Sequence, residues 1–289
     1  MHAVLKPLVL TAVLLWVAPF LSITVPRTVF SCDSMLAVLA CVTRIPEALS
    51  IVQEERERTA AEEAAFENFS ERVVALNTTE VKPATPTAGT TLTSPETETA
   101  AQLEDVRAAY RNTVMTVPHY EEEYDEPLTE NMAAELGTDL AGFVHGDDIL
   151  TPNLQQALIR ASHAAKQERA SFRKSLDRER DTLTDARRRL RDVSESTERL
   201  ATTPLDRCPF DKLLRVEHRL QNLKSDCEEI LQDRQRDLQK RSYHNDLQLQ
   251  AYLYPSQPWT FPVLDDALDC LSRLQEIEDW IVQSVIRRP

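Results

Sequence analysis

Glycine is the first shortage. The 289 residues contain only Gly89, Gly137, Gly142 and Gly146. An α/β enzyme of this length draws on many more glycines for tight turns and phosphate loops. No P-loop, GxGxxG, GxSxG or HExxH pattern occurs, so the usual signatures of nucleotide, acyl-transfer and zinc-hydrolase chemistry are missing. Lysine is the second shortage, with seven lysines against 26 arginines in a chain of formal charge −14. Acidic excess with little lysine suits a protein that stays soluble at very high salt, where the screening length falls to about 3 Å or less. The same sign opposes nonspecific nucleic-acid binding. The five cysteines (Cys32, Cys41, Cys208, Cys227, Cys270) include no CxxC pair. They form neither a disulfide framework nor a zinc pattern, and a reducing interior is the simplest compartment.

What is abundant is Ala, Leu, Glu, Arg and Gln, the strong helix formers. The expected fold is all-α: an elongated antiparallel helical hairpin or coiled-coil bundle with short accessory helices. Residues 1–34 stand apart, since no acid occurs before Asp33. Leu8 to Val25 is apolar apart from Thr and Ser, at the short edge of the roughly 17–25 residues of a membrane span. Three readings stay open: a membrane anchor, a signal peptide ending near Cys32, or sequence upstream of a start at Met35. The first places the protein at a membrane; the last leaves it cytoplasmic.

From Arg44 to Leu76 the apolar spacing predicts one helix, with Ile45, Leu49, Val52, Phe66, Phe69 and Val73 on its buried side. Residues 77–99 are rich in Thr and Pro and read as a disordered linker. Residues 100–289 read as a helical coiled-coil domain. Its first helix runs to about Met115, and Gly137 and Gly146 end two short helices. Thr151-Pro152 is a strong helix start. The helix from Pro152 runs to about Thr202, roughly 75 Å at 1.5 Å per residue. Leu176, Leu183 and Leu190 recur every seven residues, with Leu158, Ala165, Phe172, Ala186, Val193 and Leu200 at the partner position. Arg169 and Glu179 interrupt that seam. A second long helix begins near Pro209, with Leu213, Val216, Leu220, Leu223, Cys227 and Ile230 as its stripe. The short Pro-marked turn between the two predicts an antiparallel pair. Pro255, Pro258 and Pro262 then forbid continuous helix. Tyr252, Tyr254, Trp259 and Phe261 predict an aromatic plug before a closing helix from Pro262 to about Ile286.

The stretch with the most chemistry is TVPHYEEEYDEP, Thr116 to Pro127. It holds His119, Tyr120, Glu121, Glu122, Glu123, Tyr124, Asp125 and Glu126. On a helix His119 and Glu123 share a face at i,i+4 spacing, which suits a borderline metal. Two ligands alone make a weak signal, so neither a catalytic nor a metal site is assigned and no cofactor is expected. A solvated acidic helix start accounts for the same residues. A third reading comes from charge blocks. Residues 121–148 hold ten acids and no Lys or Arg, while residues 160–191 hold eleven bases against five acids. The acidic block is expected to fold back along the long helix, with Tyr120 and Tyr124 supplying the apolar contact. ARRRLR, Ala186 to Arg191, allows phosphate contact locally, against the overall charge.

TRIPEAL (Thr43–Leu49), YRNTVMTVPHYEEEYDEPLTENMAAELG (Tyr110–Gly137) and LQAYLYPSQPWTFPVL (Leu249–Leu264) resemble an uncharacterised, domain-of-unknown-function family of helical, coiled-coil proteins from halophilic archaea. The resemblance covers about Thr43 to Val285. It implies helical structure and transfers no catalytic residue. The expected function is a non-enzymatic protein-interaction or scaffolding role with a protein partner or a second copy, and no nucleic-acid partner is expected. Two alternatives remain: a membrane-anchored form held by residues 8–25, and a hydrolase or metal-binding enzyme using residues 119–126.

Overall fold

A computed structural model describes residues 42–78, 96–146, 149–202, 208–242 and 246–286. The apolar segment 1–34 and most of the Thr/Pro stretch lie outside them. Among the described residues there is no strand, and the fold is all-α. The helices are α1 (Arg44–Val74), α2 (Glu96–Arg111), α3 (Tyr120–Glu123), α4 (Leu128–Leu136), α5 (Thr138–His145), α6 (Pro152–Ala201), α7 (Phe210–Ser242), α8 (Asp246–Leu253) and α9 (Pro262–Ile286). A 3-10 turn over Val114–Thr116 follows α2. Helix α2 begins at Glu96, inside the stretch read as linker.

The described residues divide into two compact units, one of residues 54–177, the other of 42–53 with 178 onward. In the first unit the core gathers Phe66, Phe69 and Val73 of α1, Leu103 and Tyr110 of α2, Met132 of α4 and Leu158 of α6. Each such apolar side chain contributes about 1.5–3 kcal/mol by leaving water. Phe69 meets Tyr110 edge to face at 5.1 Å. The start of α6 is fixed as expected: the Leu154 N–H donates to Thr151 Oγ1 at 3.2 Å, with Pro152 at the first position. Gln155 then donates from Nε2 to the carbonyls of Val73 and Leu76, 2.9 Å each, closing the C-terminal end of α1. Ser162 donates to the Phe66 carbonyl at 2.7 Å, and Lys166 pairs with Glu67 at 2.6 Å. As numbers rise along α6 they fall along α1. The first half of α6 therefore runs antiparallel to α1, a pairing absent from the sequence reading, which set α7 and the acidic block against α6. Between α4 and α5 sits Gly137, at φ 100° and ψ 147°. That region is open essentially to glycine alone, which lets one residue end one helix and begin the next.

In the second unit α7 lies against α9. Lys224 donates to Gln275 at 2.9 Å and to Glu278 at 2.6 Å, and Gln221 donates to Glu278 at 2.7 Å. The first turn of α1 is anchored here by Asp266 of α9. Its fully buried carboxylate accepts from the backbone N–H groups of Arg44 (3.1 Å) and Ile45 (3.0 Å) and from Arg44 Nη1 (3.1 Å). A residue more than two hundred positions away thus caps the helix. Tyr254 and Trp259 form the aromatic plug, buried with ring centroids 4.9 Å apart. Tyr252 does not join it: it lies on α8 with 37 % of its surface exposed. The helix ends at Leu253, one residue before Tyr254 and two before Pro255. Phe261 is half-buried.

Candidate functional site

The acidic stretch comes together in the first unit against α1. Arg58 and Glu62 lie four apart on that helix and so share a face. The 3-10 turn and α3 bring His119, Tyr120, Glu123 and Tyr124 to it. Glu62 is the hub. Its Oε1 accepts from Tyr124 Oη at 2.9 Å and stands 3.0 Å from His119 Nε2, while its Oε2 accepts from Arg169 Nε at 3.0 Å. Arg169 Nη2 donates to Glu135 of α4 at 2.8 Å, and its guanidinium lies 4.9 Å from the centroid of the Phe66 ring. Glu123 pairs through Oε1 with Arg58, and its Oε2 is 3.9 Å from His119 Nε2. Glu122 stands 3.6 Å from Arg58. Glu62, His119 and Glu123 each offer a ligand atom within 4.8 Å of the others.

Burial pushes the Glu62 carboxyl up, but hydrogen bonds from His119, Arg169 and Tyr124 outweigh it and hold Glu62 below its ordinary range. Glu135 shares Arg169 without those other donors, and burial leaves it raised. The hydrogen bond to Glu62 raises His119 against the opposing effect of burial, with Glu123 adding to the rise. Burial pushes Tyr120 up to about 12, and its hydroxyl donates to the Glu126 carbonyl at 3.0 Å. Tyr124 is raised further by burial and by Glu62. The cavity lined by Glu62, Phe66, Tyr120, Tyr124, Glu135 and Arg169 holds only about 10 Å³, at the limit for a single water.

Among the described residues the charge-block expectation is met in one contact. Arg169, from the basic block, pairs with Glu135, from the acidic one. Other bases of that block turn to acids of α1 instead, Lys166 to Glu67 and Arg173 to Glu63 (3.1 Å). The acidic stretch meets α1 through Arg58 and Glu62. Glu121, Asp125 and Glu126 make no ion pair among the described residues; Glu121 and Asp125 are exposed. Tyr120 and Tyr124 meet each other as a tilted pair, 5.5 Å between centroids, and the Tyr124 hydroxyl reaches Glu62 of α1. Sequence reasoning missed Glu62, Arg58 and Arg169 as members of the cluster. The only prior signal was the break that Arg169 makes in the heptad seam. Of the aromatic candidates, Tyr254 and Trp259 belong to the other unit and serve its core.

The sequence matches a family described as a domain of unknown function, DUF7260, over residues 43–278. The chain belongs to that family. The match opens on Thr43, immediately before the α1 turn that Asp266 caps, and it contains the whole of the Glu62 cluster. No curated protein and no solved structure matches the chain. Among the described residues of this DUF7260 protein, no helix is long and apolar enough to cross a membrane.

Proposed function

We propose that the protein is a non-enzymatic helical interaction or scaffolding protein, suited to high salt and to the cytoplasm, that pairs with a second copy of itself. An antiparallel coiled-coil hairpin of α6 and α7 belongs to this reading. Three contacts in the second unit support it: Arg234 with Glu179, Arg189 with Asp233, and Arg219 with Ser196. The numbers rise along one helix as they fall along the other.

The observation that carries the reading is an apolar patch. Phe210 and Leu214 are 62 % and 50 % exposed on α7, and Val282 and Ile286 are 50 % and 75 % exposed on α9. The contacts of Gln221 and Lys224 with Glu278 fix the register of these helices. Two turns further on, that register sets Leu214 beside the Ile286 end of α9. Four large apolar side chains thus share one end of the pair, and clustered exposure of this kind marks interaction surfaces. The rim carries the exposed pair Asp211–Arg215 (3.0 Å). A twofold axis through such a rim sets acid against base, which makes the patch self-complementary. Screening at high salt weakens those charges and leaves the apolar contact dominant.

Light scattering on the full chain in molar KCl tests this. The expected mass is twice 32.9 kDa, falling to the single-chain value in a Leu214→Glu, Val282→Glu double variant. A single-chain mass for the unaltered protein across the micromolar range refutes self-pairing. A dimer that survives the double variant refutes the patch.

A further inference from the structure

We propose that Glu62, His119 and Glu123 form a binding site for one divalent first-row transition-metal ion, Zn²⁺ being the species to test first, which clips the acidic stretch onto α1. Three features carry this. The first is spacing. Ligand atoms about 2.0–2.2 Å from a tetrahedral Zn²⁺ stand roughly 3.3 Å from one another. His119 Nε2 lies 3.0 Å from Glu62 Oε1 and 3.9 Å from Glu123 Oε2, so the two edges bracket that figure, and all three atoms fall within 4.8 Å.

The second feature is the outer ring. Metal-binding carboxylates are oriented by hydrogen bonds to their remaining lone pairs. Here Arg169 holds Glu62 Oε2, Tyr124 donates to Glu62 Oε1, and Arg58 holds Glu123 Oε1. Glu123 Oε2, the oxygen facing His119, is the one Arg58 does not take. These partners come from α1, from α6 and from the residue that ends α3.

The third is charge. With a neutral imidazole, Glu54, Glu62, Glu122, Glu123 and Glu135 outnumber Arg58 and Arg169, the two cations they pair with. The two arginines therefore leave the site with a net negative charge that accepts a cation. An ion entering there takes the Nε2 lone pair of the neutral imidazole, whose single proton then sits on Nδ1. The imidazole ligand selects Zn²⁺, Co²⁺ or Ni²⁺ over the hard cations Mg²⁺ and Ca²⁺, which take oxygen ligands. The role assigned to the ion is structural: it ties residues 119–123 to a helix 57 positions earlier.

The test uses the full chain, stripped with chelator and dialysed into metal-free high salt. Elemental analysis after equilibration with Zn²⁺ is expected to show one equivalent. Co²⁺ in its place is expected to give a visible d–d spectrum, and Zn²⁺ to raise the melting temperature. His119→Gln and Glu123→Gln are each expected to weaken binding by at least roughly tenfold, the loss typical of an altered metal shell. His145→Gln, on α5, is expected to change nothing. Glu123→Gln leaves the Glu62–His119–Tyr124 bonds intact, so it reports on the ligand even if the histidine variant fails to fold. Failure to retain any ion overturns the proposal. So does retention that Glu123→Gln does not weaken, or that His145→Gln weakens as much as His119→Gln. Self-pairing through α7 and α9 is read by mass in a different unit, so either proposal can fail alone.

Discussion

Arg234 and Glu179 form a two-pronged ion pair at 2.8 and 3.0 Å with both side chains 1 % exposed. Gln250 of α8 accepts a further bond from Arg234 Nη2 at 3.1 Å, while Arg234 Nε and the nearby Tyr254 hydroxyl lack a hydrogen-bond partner among the described residues. A buried pair of this kind costs desolvation on both sides, and removing one member strands the other. Glu179→Ala is expected to lower stability by about 3–5 kcal/mol, whereas Glu179→Leu with Arg234→Met is expected to be neutral or stabilising by about 1–4 kcal/mol. Urea denaturation of the three proteins checks this. The double variant should also let α6 and α7 slip, since a polar contact in an apolar seam fixes register. A double variant as unstable as the single one would show that the pair stabilises the unit outright.

Asp266 caps α1 from α9, which couples the beginning of the family's matched region to the last helix. Asp266→Ala leaves the Arg44 and Ile45 N–H groups without their acceptor and is expected to cost about 1–3 kcal/mol. Hydrogen exchange gives the sharper readout. Amides of the first α1 turn should lose protection in Asp266→Ala while those around Phe66 keep it. Equal loss along all of α1 would mean that the cap holds the whole helix rather than its end.

The long helices were readable because their information is local. The heptad leucines of α6, the Thr151-Pro152 start and the Gly137 break each depend on neighbours a few residues away. Both interruptions of the α6 seam, Arg169 and Glu179, were visible too. Their partners were not: Glu62 lies 107 residues from Arg169, Arg234 lies 55 from Glu179, and a charge pattern names no address. The same distance hid Asp266 as a cap. In the candidate site, His119 and Glu123 were legible as an i,i+4 pair, but Glu62 looked like one more acid on an acid-rich helix. The aromatic plug was half legible. Composition told that rings gather near Pro255, but not that Tyr254 is buried while Tyr252 is half-exposed.

Two backbone positions next to the site allow opposite substitutions. Gly137 at φ 100° has nothing within 4 Å of a would-be Cβ, so the cost of Gly137→Ala is conformational, about 1–3 kcal/mol. Asp125, exposed just past α3, sits at φ 42°, and its N–H donates to the Tyr120 carbonyl at 3.2 Å. Glycine is the residue that takes this helix-ending conformation without strain, so Asp125→Gly is expected to stabilise by up to about 1 kcal/mol. Thermal melts of the two variants should move in opposite directions. A destabilised Asp125→Gly would mean that the aspartate side chain contributes more than its backbone costs.

The Glu62 cluster also sets a pH window in metal-free protein. His119 is raised above its ordinary 6.5, chiefly by Glu62, with Glu123 helping and Arg58 opposing. Its contribution to stability is full below about pH 6.5 and is lost as pH climbs through the folded value. Glu62 is held below its ordinary 4.5, so its contribution is present above that pH and is lost as pH falls through the folded value. Glu135 is raised and works the other way, so its uptake of a proton softens the acid loss. With chelator present, stability from this cluster is therefore expected to peak between about pH 4.5 and 6.5 and to decline on the alkaline side. His119→Gln removes the titrating group and should flatten the alkaline decline while leaving the acid side. Urea midpoints across pH 4 to 9, in salt held constant, measure both limbs. An alkaline decline of equal slope in the variant would place its origin outside His119.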